Sequence, residues 1–148
     1  MKVLFLDIDG VLCTARSHHA YSSGNLWQYL DPVACRLIFK ILQSTGAKIV
    51  ISSDWRHFHD KCSMESILMN AGFEIVSFHE DWLTPSKLSA SRGQEIGIYL
   101  RDHPEIKKYA IVDDNADMLT EQKPFFVQTD VVNGLTFQNY QDLMALLA

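Results

Sequence analysis

Residues Val3 to Leu6 form an uninterrupted apolar run of strand-forming residues that stops at Asp7-Ile8-Asp9-Gly10. A run that is apolar at every position has no wet face. It belongs in a sheet covered on both sides, the setting of parallel strands. Ligands of such sheets collect outside the carboxyl ends of the strands. The first strand thus delivers two carboxylates and a glycine to the edge where these proteins keep their chemistry. Taken alone, the same residues also read as an ordinary polar turn, and the rest of the chain must decide.

The pattern repeats. Asp31-Pro32 starts a helix, with Asp as N-cap and Pro at the first helical position, and Gly46 ends it. Ala47 to Ile51 is a second apolar strand, followed by Ser52-Ser53-Asp54-Trp55-Arg56. A helix is expected from about Cys62 to Ala71, closed by Gly72, then a third strand at Phe73 to Phe78 and a loop from His79 to Ala90. Ser91-Arg92-Gly93-Gln94-Glu95 opens a helix running to about Asp102. Tyr109 to Val112 is the fourth strand, ending in Asp113-Asp114-Asn115, and Phe125 to Val127 is the fifth. A last helix spans Gln138 to Leu147, and Thr14 to Tyr29 reads as a polar loop or small flap. Alternating strands and helices predict an α/β fold with a mainly parallel five-stranded sheet and right-handed crossovers. At 148 residues the chain is expected to be a single domain.

In a parallel sheet the carboxyl ends share one edge. Asp7 and Asp9, Ser52 and Ser53, and Asp113 and Asp114 would converge there. Carboxylates a few ångströms apart repel and raise each other's pKa, so a positive partner is needed. All-oxygen ligands without His or Cys point to Mg²⁺. Acids, a divalent cation, a basic side chain and a hydroxyl together suit a phosphoryl group.

Other features narrow the class. A net charge of −5 argues against a broad nucleic-acid-coating surface, though not against a local basic groove. Cys13, Cys35 and Cys62 form no C-x-x-C pair and read as reduced thiols of a cytoplasmic protein. No signal peptide or membrane-spanning stretch is expected. His57 and His59 lack further ligands at metal spacing and read as exposed histidines.

The motifs Asp7-x-Asp9-Gly-Val, the strand ending in Ser52, a later basic residue, and Asp113-Asp114 after a strand resemble the four motifs of the haloacid dehalogenase-like (HAD) phosphatases. The likeness covers Lys2 to about Asp117. Ser-Ser-x-Trp-Arg at residues 52–56, Arg92-Gly-x-Glu-Ile96 and Val-Asp-Asp are also similar to the small HAD domains of RNA-repair proteins. The resemblance implies a three-layer Rossmann-like fold. It implies Asp7 as a nucleophile forming an aspartyl-phosphate, and Asp9 as acid and then base, with its backbone carbonyl also on Mg²⁺. Ser52 or Ser53 would bind phosphate. Arg92, or Lys87 in its place, would be the basic phosphate ligand. Asp113 and Asp114 would complete the metal site, with Asp117 further out.

Arg16 and Arg56 are candidate substrate contacts. Trp27, Tyr29, Trp55 and Trp82 are candidate base-stacking residues or core aromatics. HAD enzymes acting on small metabolites usually carry a cap domain, and the intervals here are too short for one. An open site favours a bulky phosphomonoester, such as a nucleic-acid 3′-phosphate end or a phosphoprotein. Two rivals use the same fold: a receiver-type phospho-switch, with Asp54 just past a strand end, and a catalytically inactive HAD-fold binding module.

Overall fold

The computed structural model describes residues 1–21 and 30–148, with Tyr21 described for its backbone alone. Five strands, β1 (Lys2–Leu6), β2 (Lys48–Ile51), β3 (Phe78–Leu83), β4 (Lys108–Asp113) and β5 (Phe126–Gln128), form one sheet in the order β3-β2-β1-β4-β5. Every pairing is parallel. The α-helices among the described residues are α1 (Ala15–Tyr21), α2 (Pro32–Thr45), α3 (Lys61–Asn70), α4 (Arg92–Asp102) and α5 (Phe137–Leu147).

The alternation along β1 sorts the layers. Leu4 and Leu6 point into a core shared with Ile38 and Ile41 of α2, Met64 and Leu68 of α3, and Leu143 and Leu147 of α5. Val3 and Phe5 point the other way, onto Ile96 and Tyr99 of α4, with Ile111 and Met118. The sheet is therefore sandwiched between helices, as the fully apolar β1 requires. From β1 the chain winds outward to β3, then returns through α4 to β4 on the other side of β1. That reversal opens a crevice between the carboxyl ends of β1 and β4.

Helix α2 starts and stops as its sequence dictates. The Asp31 side chain accepts from Val33 N at 2.8 Å and Ala34 N at 3.4 Å, and Pro32 occupies the first turn. Gly46 closes the helix in the left-handed region, with φ 70°.

The third strand lies further along than expected. Residues Phe73 to Ser77 turn rather than extend: Phe73 N bonds back to Leu68 O, and Phe73 and Val76 are buried while Ile75 is exposed. The strand forms at Phe78–Leu83, with a register shift between Ile49 and Ile51 of β2. It is an edge strand carrying the exposed Glu80 and Asp81, charges of the kind that keep such an edge from pairing with other chains. These charges disguised the strand as a loop. Residues 15–21 are helical rather than loop, capped by Thr14 Oγ1 accepting from Ser17 N at 3.1 Å. Trp27 and Tyr29 lie outside the described residues.

Replacing Asp31 by Ala removes the cap of α2 and should cost about 1–2 kcal/mol, read as a lower urea midpoint. Asp31→Asn should retain most of that stability, because an amide oxygen can accept the same backbone bonds.

Candidate active site

Two backbone bonds continue the ladder past the strands and bring the site together. Asp7 N donates to Val112 O at 3.1 Å, and Ser52 N donates to Leu6 O at 2.9 Å. Asp7 is thereby held between the end of β4 and the end of β2. Beside it lies a pocket of about 570 Å³. Its wall carries seven acids (Asp7, Asp9, Asp54, Glu95, Asp113, Asp114 and Asp117) against two arginines, Arg56 and Arg92. Asp9, Asp54 and Asp117 are exposed, so the pocket opens to solvent.

The innermost acids are Asp7, Asp113 and Asp114, each offering an oxygen within 4.8 Å of the others. Gly10 makes this approach feasible. Its φ is +75°, and a Cβ there would sit 2.7 Å from both Cβ and Oδ2 of Asp114. Thr129 fastens the turn, donating from Oγ1 to Gly10 O at 2.8 Å and from N to Asp113 O at 3.0 Å.

Burial pushes the Asp7 carboxyl well above the ordinary carboxylate range, and Asp113 adds to the shift. Hydrogen bonds from Ser53 and the Ile8 backbone, and the charge of Arg92, oppose it. Burial raises Asp113 as well, against the Asn115 N–H and Arg92, with Asp114 and Asp117 pushing further upward. Partial burial raises Asp9. A hydrogen bond from the Trp55 side chain opposes that shift, while Asp114 and Asp54 reinforce it. Asp113 Oδ2 is buried with no hydrogen-bond partner among the described residues. Three converging carboxylates, one with an orphaned oxygen, fit a hard divalent cation with oxygen ligands.

The basic side arrives on α4. Ser91 caps this helix with a reciprocal Gln94 bond. Its first turn is pressed against the segment after β4: Arg92 N donates to Asp117 Oδ2 at 3.1 Å, and Gln122 Nε2 donates to Gly93 O at 2.8 Å. A Cβ at Gly93 would lie 2.6 Å from Leu119 N. Arg92 then faces Asp113, Asp54 and Glu95 at 3.6, 3.5 and 3.3 Å.

Of the two basic candidates, Arg92 lines the pocket. Lys87 lines a neighbouring groove with Leu88 and Arg101. Of the two serines, Ser53 lines the pocket, while Ser52 is buried with its hydroxyl unpartnered among the described residues. The Arg56 side chain is only 5% exposed; it lines the pocket wall and forms a buried ion pair with Glu95 at 2.8 Å. Arg16 is held by Asp31 at 3.2 Å. Trp55 is buried, and Trp82 packs on Phe78 against the core, which leaves Trp55 no free face for a base. Burial and the nearby Asp9 push the Cys13 thiol up to about 11, away from nucleophilic use.

Sequence reading placed Glu95 in the Arg92-Gly-x-Glu-Ile96 motif but gave it no role in the site. Its signal was a charge among Gly93, Ile96 and Tyr99 on the buried face of α4, three residues after Arg92.

Raised carboxyls bind protons more tightly folded than unfolded, so their contribution to stability falls as pH rises. Without divalent cation, the melting temperature should drop between about pH 4, the unfolded carboxylate value, and neutrality. Mg²⁺ should reverse the drop, most strongly at the alkaline end. Asp113→Asn should flatten the pH trend and reduce the Mg²⁺ effect, and Gly10→Ala should abolish the Mg²⁺ effect by displacing Asp114. Calorimetry across pH with Mg²⁺ or EDTA reads all three.

A family model described as the HAD domain in Swiss Army Knife RNA repair proteins matches residues 3–140. No curated protein and no solved structure matches the chain. Among the described residues, no helix is long and apolar enough to cross a membrane. With the match spanning nearly the whole chain, and acids gathered at the β1–β4 crevice of a parallel sheet, the chain belongs to the HAD domain family of Swiss Army Knife RNA repair proteins.

Proposed function

We propose that this chain is a Mg²⁺-dependent phosphatase that hydrolyses a phosphomonoester through an aspartyl-phosphate on Asp7. The observation that carries the reading is the trio Asp7, Asp113 and Asp114, with oxygens within 4.8 Å and Arg92 facing Asp113 at 3.6 Å. Acids and a cation placed so closely around one pocket match the needs of a phosphoryl group.

The Asp7 carboxylate attacks phosphorus, and the bond to the leaving alcohol breaks as the Asp7–phosphorus bond forms. Asp9 starts protonated and gives that proton to the leaving oxygen; its raised pKa suits the task. Asp9 then takes a proton from water, whose oxygen attacks phosphorus and releases orthophosphate from Asp7. Ser53 positions the phosphoryl oxygens from the end of β2, and Arg92 balances their charge. Asp7, Asp113 and Asp114, with the Asp9 carbonyl, would hold Mg²⁺, whose charge neutralises the acids and the phosphoryl oxygens.

The substrate we favour is a nucleic-acid 3′-phosphate end. Two considerations support it: the pocket opens to solvent past Asp9, Asp54 and Asp117, and the family is described by its occurrence in RNA repair proteins. Against the receiver-type reading, Asp54 is exposed at 76% of its side chain and pairs with Arg92, outside the buried acidic trio.

The protein should hydrolyse p-nitrophenyl phosphate with Mg²⁺, and Asp7→Asn should reduce turnover to background. Asp9→Asn should slow turnover by about 10²–10⁴-fold, more for alkyl than for p-nitrophenyl leaving groups. Full activity of Asp7→Asn would remove the nucleophile assignment. A panel of 3′- and 5′-phosphorylated oligonucleotides, mononucleotides, sugar phosphates and phosphopeptides tests the substrate, with the 3′-phosphorylated oligonucleotide expected to show the highest kcat/KM. Absence of turnover on every phosphomonoester would favour a binding module.

A further inference from the structure

Glu95 is a carboxylate inside the protein, with its side chain 5% exposed, and it is shared among three donors. Arg56 Nη2 reaches both of its oxygens, at 2.9 and 2.8 Å. Lys87 N donates to Oε1 at 3.2 Å, and Arg92 Nη1 donates to Oε2 at 3.3 Å. Arg56 is itself tied to β3's end, donating from Nη1 to Thr84 Oγ1 at 2.6 Å. Glu95 thus joins the end of β2, the loop after β3 and the first turn of α4.

The contacts of Arg92 are unequal. Its Nη1 makes the hydrogen bond to Glu95. Its Nε and Nη2 face Asp113 at 3.6 Å and Asp54 at 3.5 Å, ion contacts that are not hydrogen bonds. Nε–H and one N–H of Nη2 form one edge of the planar guanidinium, the edge that grips two oxygens of a phosphate side by side. Nη1 is at the opposite corner. One corner is therefore anchored to a buried carboxylate, while the two-donor edge faces the pocket and is only loosely occupied.

We propose that Glu95 is a positioning residue that holds Arg92 by Nη1 so that its Nε–Nη2 edge meets the phosphoryl group of the substrate in a two-point grip. The proposal rests on the phosphatase reading for its ligand, but its geometry requires only that the pocket bind phosphate. Arg56 is the buried counter-charge that holds the Glu95 side chain in place. Glutamine is a poorer anchor. It carries no charge, and because Arg56 Nη2 reaches both oxygen positions, an amide N–H₂ faces a donor in either orientation. The hold on Arg92 Nη1 is weakened in both.

The test is a double-substitution cycle on orthophosphate affinity, measured by titration calorimetry with Mg²⁺ present and requiring no turnover. Glu95→Gln should weaken orthophosphate binding about tenfold, the worth of one charged hydrogen bond. KM for p-nitrophenyl phosphate should rise in parallel. Arg92→Lys, which cannot offer a two-point edge, should weaken binding similarly. In the Arg92→Lys protein, Glu95→Gln should then change affinity by less than about twofold, because the grip that Glu95 supports is already gone. An equal loss in both backgrounds would overturn the proposal and leave Glu95 a purely structural partner of Arg56. If Glu95→Gln fails to fold, Glu95→Asp takes its place in the cycle: it keeps a carboxylate for Arg56, while its side chain, shorter by one methylene, loosens the bond to Arg92 Nη1. A protein that hydrolyses no phosphomonoester yet shows this coupling would overturn the phosphatase reading and sustain the positioning role. A wild-type protein that does not bind orthophosphate would overturn both.

Discussion

The structure is organised around an electrostatic burden. Asp7, Asp113 and Asp114 bring oxygens within 4.8 Å of one another on a largely buried edge. At that separation and an effective dielectric near 20, each pair of ionised acids costs about 3–4 kcal/mol. Total stabilities of small domains are about 5–15 kcal/mol. Such a cluster persists only if the rest of the fold is rigid enough to carry it, and only if the acids hold protons or meet a cation. The upward-shifted pKa values of Asp7 and Asp113 express the first alternative. The orphaned Asp113 Oδ2 and the approach of Arg92 express the second.

Rigidity comes from the sheet beneath. The acids stand on β1 and β4, the two strands flanking the reversal of the winding, and each strand is paired on both sides. Asp7 and Ser52 continue the ladder by backbone bonds, so their side chains are aimed by the pleat rather than by a free loop. Above the sheet, two glycines serve close approach rather than flexibility. Gly10 admits Asp114, and Gly93 lets the start of α4 touch residues 118–119. The second of these contacts carries Arg92 to the acids, and Glu95 ties the same helical turn to Arg56. The acidic and basic halves of the site are thus built by separate elements that meet only in the folded protein.

Much of this was legible in the chain. The apolar runs at Val3, Ala47 and Tyr109 are strands because residues buried on both faces must be apolar throughout, and each is followed by its polar site residues. The capping signal at Asp31 and the helix opening at Ser91 mark real helix starts, because unsatisfied backbone N–H groups need an acceptor nearby in sequence. The third strand was misplaced because its edge position leaves one side wet. His79-Glu80-Asp81 carries charge where a central strand could not, whereas the apolar Phe73 and Val76 are buried from a turn.

By itself, then, the sequence determined the parallel sheet, the order of its elements and the four polar clusters at their ends, because periodicity, capping and chain order are local properties. Only the tertiary structure decided which serine and which basic residue face the pocket. Ser53 and Ser52 differ by one residue, and a strand end turns such neighbours in opposite directions. Arg92 and Lys87 differ by the close packing of Gly93 that draws α4 inward. Arg56 was legible as a charge, but its burial was not. Its partner Glu95 lies 39 residues away, and an ion pair across that interval forms only when β2, β3 and α4 pack together.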